Sequence, residues 1–350
     1  MKIIKKSFII LIFLSYFFIF GRQLESEISF IPLWVENIEF EGLVSEEIKE
    51  NSIDFRLDDK FGYLDRNGRV LFVENLLFGV AIDQDGFINY SRQNEVLVLK
   101  DREGFFINTI DISGYPYFSG NRRFILSYDS NGISEIDHEG SLVWQKTFSS
   151  SITSLSVAGS FLFLGTVDGG IRLMDSSGSV VFDYITKNSR INVIYGGAVS
   201  SNGELMMTIS GLEPQLLTLW TKDGSEYQEQ ITWSLQTELR RHAIAGISED
   251  GLYAYVEIEE ELLLIELKNK KLFSIPITGR LQNIYFNGNS ELIYVLSQDS
   301  NGSYLLISET DGKKLFYNRL PGNGSMLKEG FGRIILGIDT NLISYGVESL

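Results

Sequence analysis

Two histidines, His138 and His242, and no cysteine occur in the 350 residues, so most side chains able to do chemistry here are carboxylates. Asp83-Gln84-Asp85-Gly86 and Asp129-Ser130-Asn131-Gly132 open like calcium loops. Such a loop needs further oxygen ligands and a glutamate in register. Neither continuation supplies them, and hairpin-turn chemistry accounts for both stretches. Glu257, Glu259, Glu260 and Glu261 form an acidic hairpin. Paired carboxylates cleave glycosidic bonds when they face each other across the bond, whereas consecutive ones at a turn read as a solvated tip. A docking point for a basic partner is the sharper alternative. His138 sits in a turn where equivalent turns carry Arg, Ser or Thr, which reads as exposed and incidental. His242 follows Arg240-Arg241 at the head of a strand-rich unit, a place open to a central channel, but a lone histidine is more often structural. Nucleophile elbows, P-loops and H-E-x-x-H are absent. Asn301-Gly302-Ser303 and Asn323-Gly324-Ser325 match the glycosylation pattern and read as turns. The expectation is therefore no catalytic residue, no metal ligand set and no cofactor.

What positions these residues is a repeated seam, clearest in Asp137-His138-Glu139-Gly140-Ser141-Leu142-Val143-Trp144. An acidic residue stands three places before a glycine, and an aromatic four places after it. The spacing returns in Asp65…Gly68…Phe72, Asp175…Gly178…Phe182 and Glu309…Gly312…Phe316. Weaker copies are Asp101…Gly104, with Asn108 in the aromatic place, and Glu266…Asn269…Phe273, with Asn for Gly. The weakest is Thr221…Gly224, with Tyr227 one place early. Short apolar runs flank each copy, and the whole reads as a β-hairpin. Glycine, or asparagine as second best, takes the positive-φ position of the turn. The aspartate bonds backbone N–H groups within it, and the aromatic starts the next strand and buries a large area.

The glycine-equivalent positions 68, 104, 140, 178, 224, 269 and 312 are spaced by 36, 36, 38, 46, 45 and 43 residues. Units of that length with short β-type runs and no helical periodicity predict an all-β fold, a β-propeller of four-stranded blades. Seven such turns imply seven blades, and three further strands at residues 326–347 lack a fourth. Residues 28–35 lie unclaimed at the other end, and pairing the two would close the ring and remove its free edges. Eight blades are favoured, seven complete and one composite. Seven is the alternative if residues 28–60 only lead in.

The seam resembles the repeat of the PQQ-like, or quinoprotein-type, β-propeller superfamily, where Asp, Gly and Trp recur at the same hairpin. Ile136 to Trp144 is the closest copy, and the similarity covers roughly residues 50–347. WD40 repeats are similar in shape, but no Gly-His/Trp-Asp pair marks that family. The resemblance implies quinone-dependent dehydrogenases or outer-membrane assembly lipoproteins without a cofactor. The dehydrogenases stack their quinone on adjacent cysteines and the lipoproteins carry an acylated one; this chain has neither. No residue matches the dehydrogenases' calcium ligands or catalytic aspartate. Architecture and compartment carry over from the resemblance, but activity does not.

Residues 1–21 read as a signal peptide or membrane anchor, with Lys2, Lys5 and Lys6 before the apolar run 8–20. Thirteen residues fit a signal core, while the poor cleavage pattern fits a retained anchor, and either form exports the remainder. Residues 22–52 read as a lead-in with a possible closing strand, and 53–350 as a single propeller domain without a linker. The net charge of −16 opposes nucleic-acid binding, and no basic stripe offsets it. These observations imply an exported, non-catalytic propeller that holds another protein or peptide of the cell envelope, meeting the membrane only through its N-terminal segment. The alternative is an enzyme of the central funnel, either a degenerate quinoprotein or a hydrolase or lyase acting on sugars or peptides. A third reading is a structural body packed against its own anchor.

Overall fold

The computed structural model describes residues 28–39, 42–43, 52–92, 96–289 and 291–349. Residues 1–21, expected from sequence to be a signal peptide or anchor, and the acidic stretch 44–50 lie outside them. The described strands form eight four-stranded antiparallel sheets, and none of the described residues is helical. Strands within a blade are called A to D from the inside outward. Blade 2 is Gly79–Ile82, Gly86–Tyr90, Leu97–Asp101 and Phe106–Ile110. Blade 3 is Tyr115–Ser119, Arg122–Leu126, Gly132–Ile136 and Leu142–Thr147. Blades 4 to 7 repeat this order within residues 152–185, 191–234, 245–276 and 280–319.

Blade 8 closes the ring. Gly324–Gly330, Arg333–Ile338 and Asn341–Ser349 supply A, B and C, and Ile28–Asn37 adds D from the other end of the chain. The pairing runs from Ile28 opposite Ser349 to Asn37 opposite Asn341, with an irregularity between Pro32 and Trp34. Eight blades, the composite included, are thus present. One detail of the sequence reading needs correction, because blade 1 does not repeat the standard four strands. Its order is Gly42–Leu43, Val70–Asn75, Lys60–Leu64 and Ile53–Arg56. The loop at residues 57–59 is its B–C turn: Asp59 O accepts from Leu76 N–H, as Asn131 O in the B–C turn of blade 3 accepts from Phe148 N–H. Ile53–Arg56 is therefore a B strand, and among the described residues no strand lies inside it. The fourth strand is Gly42–Leu43, added outside D.

Five seam copies share one turn geometry. Asp65, Asp101, Asp137 and Asp175 each accept two backbone N–H bonds through Oδ1, from the residues two and four places on, at 2.7–3.0 Å. The Ser177 hydroxyl also donates to Asp175 and is the main reason that its carboxyl lies below the ordinary 3.8. Glu309 is one methylene longer, so Asp311 takes over the bond to Lys313 N–H while Glu309 meets the Lys313 ammonium at 3.2 Å. The glycines hold φ of +78° to +94°, and a bulge in strand D follows each turn.

The aromatic of one blade packs on the glycine of the next. A Cβ on Gly68 would lie 2.4 Å from Trp34, on Gly104 2.7 Å from Phe72, and on Gly178 2.7 Å from Trp144. Gly140 faces Asn108 instead, whose amide donates to Glu139 O at 2.9 Å. The seam is therefore glue between blades as well as a turn. Two copies depart from it. Asn269 does not take the left-handed position; Lys270 does, at φ +55°, and the Asn269 amide instead donates to Glu266. Thr221 sits within its strand opposite Gln228, and Gly224 opens a tighter hairpin that brings Asp223 opposite Glu226.

Candidate functional site

Two of the carboxylates singled out by sequence, Asp83 and Glu257, are engaged in holding blades together. Arg123 is 1% exposed and makes two bonds to Asp83, at 2.6 and 2.8 Å. Its third nitrogen donates to His138 O, and the Phe118 ring lies 4.9 Å from the guanidinium. Asp83 also accepts from Asp85 and Gly86 N–H, so one side chain serves its own turn and the next blade. Arg122 grips Glu135 twice at 2.7 Å and reaches Ser160 O of blade 4.

Glu257 corrects the reading of a solvated acidic tip. It is fully buried, bonded by Arg241 at 2.6 and 2.8 Å and by Leu281 N–H at 3.0 Å, and so joins blades 6 and 7. Only the turn Glu259-Glu260 stays exposed, with Glu261 half-buried. The split follows from position, since Glu257 lies within the strand Tyr253–Ile258 whose last three residues are all buried, while Glu259 and Glu260 form the turn after it. The Asp129 stretch is a B–C turn in which Ser127 and Asp129 share a 2.6 Å bond. His138 is exposed, 3.3 Å from Asp85, and His242 is exposed in the loop before blade 6. Among the described residues no group of three or more His, Asp or Glu could hold a metal ion.

The structure gathers a different set of side chains. A–B and C–D turns open on one face, the seam face. B–C turns and the links between blades open on the other, the linker face. On the linker face of blades 1 to 3, aromatic rings from four separate segments form a strip. Phe78 ends the link into blade 2, Tyr90 ends strand B of that blade, Tyr115 starts strand A of blade 3, and Tyr128 lies in its B–C turn. Centroids are 6.1 Å apart for Phe78–Tyr90, 6.3 Å for Tyr90–Tyr115 and 5.0 Å for Tyr115–Tyr128. Leu77 is 66% exposed, Phe78 48% and Tyr128 40%.

Local bonds fix the strip. Phe78 N–H donates to Tyr90 O and Leu77 N–H to Asn89 Oδ1, both at 3.0 Å, while the Asn89 amide donates to Glu74 and to Asn75 O. Arg92 lies 5.8 Å from the Phe78 centroid. Burial pushes the Tyr90 phenol up, and the nearby Arg56 charge pulls the other way. Contiguous exposed apolar area on a soluble face marks an interaction surface, and aromatic–arginine groupings carry most of the energy in protein interfaces. Sequence reasoning missed these residues. The available signals were Leu77-Phe78 in a link where polar residues are usual, and the aromatic run Tyr115-Pro116-Tyr117-Phe118.

All 350 residues match the model of a family described as beta-propeller protein. The chain belongs to this beta-propeller family. A relative in Treponema pallidum (strain Nichols), described as an uncharacterized protein, is 20% identical over 342 residues, covering 95% of this chain and 91% of its own. The crystal structure of BamB from Moraxella catarrhalis superposes with a TM-score of 0.64 at 13% identity, covering 91% of this chain and 99% of that one. At that identity the likeness is one of fold, and it bears out the PQQ-like resemblance at that level.

The described residues also enclose a cavity of about 610 Å³, lined by Asp54, Arg56, Asp58, Gln298 and Lys328 beside the inner strand of blade 1. Another, of about 720 Å³, opens on the seam face among Tyr255, Tyr285, Tyr294, Tyr345, Glu249 and Glu329. Burial pushes the Tyr255 and Tyr294 phenols up to about 12, against about 10 in an unfolded chain. A raised folded-state value favours the neutral phenol, so its stabilisation is complete below pH ~10 and is lost as pH rises toward ~12. Urea midpoints are expected to hold steady up to pH ~9 and fall between pH ~10 and ~12. A midpoint that rises over that interval would contradict the assignment.

Proposed function

We propose that the protein is a non-catalytic binding propeller of the cell envelope, which holds a protein or peptide partner on the strip formed by Leu77, Phe78, Tyr90, Tyr115 and Tyr128. The observation that carries this reading is a continuous aromatic surface, flanked by Arg56 and Arg92, on a chain whose net charge is −16. Rigid aromatic side chains supply contact area at low entropic cost. The two arginines favour a partner segment with an apolar side chain next to a carboxylate. The funnel-enzyme alternative has less support, because Asp83, Glu135 and Glu257 are held in two-point arginine pairs.

The test is photo-crosslinking of the full chain in its own cells. With p-benzoyl-phenylalanine at position 77 or 128, one discrete adduct is expected. None is expected from position 272, which is exposed on the outer strand of blade 6. Phe78→Ser is expected to abolish the adduct formed from position 77. Adducts that are absent at 77 and 128, or the same from all three positions, would overturn the proposal.

A further inference from the structure

The cavity of about 720 Å³ lies where the A–B turns of three successive blades, 6, 7 and 8, meet on the seam face. In blade 7, Tyr285 of strand A (Arg280–Phe286) stands opposite Tyr294 of strand B (Leu292–Asp299), with ring centroids 5.8 Å apart. Tyr294 is only 3% exposed and lines the cavity. No described residue bonds its hydroxyl, yet that oxygen is not sealed off as the Tyr63 hydroxyl is, so it opens into the cavity. A phenol this deep leaves both a donor and an acceptor available to a ligand. Glu249 reaches the cavity from the A–B turn of blade 6, and Glu329 from the end of strand A in blade 8. Burial, and then the charges of Glu329 and Glu249, push the Tyr285 phenol up, so both carboxylates bear on the same ring.

Four charged groups line this space: Glu249, Asp250, Glu329 and Arg333. Asp250 is engaged within its own turn, accepting from the Ser248 hydroxyl at 2.6 Å and from Leu252 N–H at 3.0 Å. Arg333 turns toward blade 1, where Nη1 donates to Arg66 O at 3.5 Å. Glu329 accepts one backbone bond, from Gly332 N–H at 2.8 Å, and neither it nor Glu249 forms an ion pair among the described residues. The lining is therefore net acidic. Two carboxylates beside one ring repel each other unless a positive charge stands between them. The faces of the tyrosine rings favour the same sign of charge. The open groups are chiefly acceptors, the carboxylate oxygens and the Tyr294 oxygen, and ammonium and guanidinium groups carry donors only. The carboxylates are not grouped as metal ligands, while Tyr285 and Phe286 offer apolar surface for an organic stem. The volume lies in the range of small-molecule sites.

We infer that this cavity binds an organic cation, an ammonium or guanidinium group on an apolar stem, held between Glu249 and Glu329 against the Tyr285–Tyr294 pair. The site lies on the face opposite the aromatic strip and does not depend on it. A free amine and a basic side chain of a peptide share this chemistry, and calorimetry on the full-length chain in detergent separates them. The probes are agmatine, Nα-acetyl-arginine methylamide and the uncharged Nα-acetyl-citrulline methylamide. One equivalent of cation is expected to bind, with the citrulline compound weaker by about tenfold or more. Tighter binding of agmatine identifies a free amine, and tighter binding of the capped arginine identifies a peptide side chain. Glu249→Gln and Glu329→Gln are each expected to weaken the cation by about tenfold, and Tyr294→Phe by roughly threefold. The unliganded double glutamine variant is expected to melt no lower than the parent, because it loses no ion pair. Absence of binding by both cations, equal binding of the citrulline compound, or full affinity in the double variant would overturn the inference. So would a lower melting temperature of that variant without ligand, which would make the two carboxylates structural.

Discussion

Arg123→Leu is expected to lower the unfolding free energy by about 3–5 kcal/mol, because it leaves a buried carboxylate without its counter-charge. Asp83 keeps its two backbone donors, but its side chain is only 9% exposed and water does not replace the guanidinium. The His138 carbonyl loses a donor as well. Adding Asp83→Asn to Arg123→Leu is expected to recover part of the loss. The amide oxygen can still accept from Asp85 and Gly86 N–H, and no charge remains to be buried. Guanidinium midpoints of the two single variants and the double variant measure the coupling. If the double variant falls by the sum of the singles, the pair does not act as a buried unit.

Gly178→Val is expected to cost about 1–3 kcal/mol for a branched residue at φ +78°, and about 1–3 kcal/mol more for overpacking. The second loss arises because its Cβ would fall 2.7 Å from the Trp144 ring. Gly312→Val provides the internal control. It has φ +94° and the same turn bonds, but nothing lies within 4 Å of its Cβ. Only the first cost is expected there, so the difference between the two midpoints reads the packing of blade 3 on blade 4. Equal losses would mean that the aromatic merely caps its own blade.

The seam was legible because its causes are local. The acidic side chain bonds N–H groups two and four residues away, and glycine supplies a conformation that other residues resist. The same logic failed at Asn269 and Thr221, where the spacing survives but Lys270 or a tighter hairpin absorbs the turn. Trp34 shows a signal that was present but unused. It precedes Gly68 by 34 residues, as Trp144 precedes Gly178, which marks it as the seam aromatic of the composite blade. Glu257 misled because four carboxylates near one turn look alike in a string, while the packed strand buries Glu257 and the turn beyond it exposes Glu259 and Glu260.

The residues by themselves determined the repeat, the hairpin chemistry, the all-β class and the need to close the ring, since each rests on groups a few bonds apart or on a count of unpaired strands. Only the tertiary structure decided that blade 1 takes its fourth strand from outside, that Arg123 reaches Asp83 forty positions away, and that Phe78, Tyr90, Tyr115 and Tyr128 share a face. Those outcomes depend on which blade lies beside which. Contacts between segments far apart in sequence follow from the packing of whole sheets, and no short pattern of residue types encodes them.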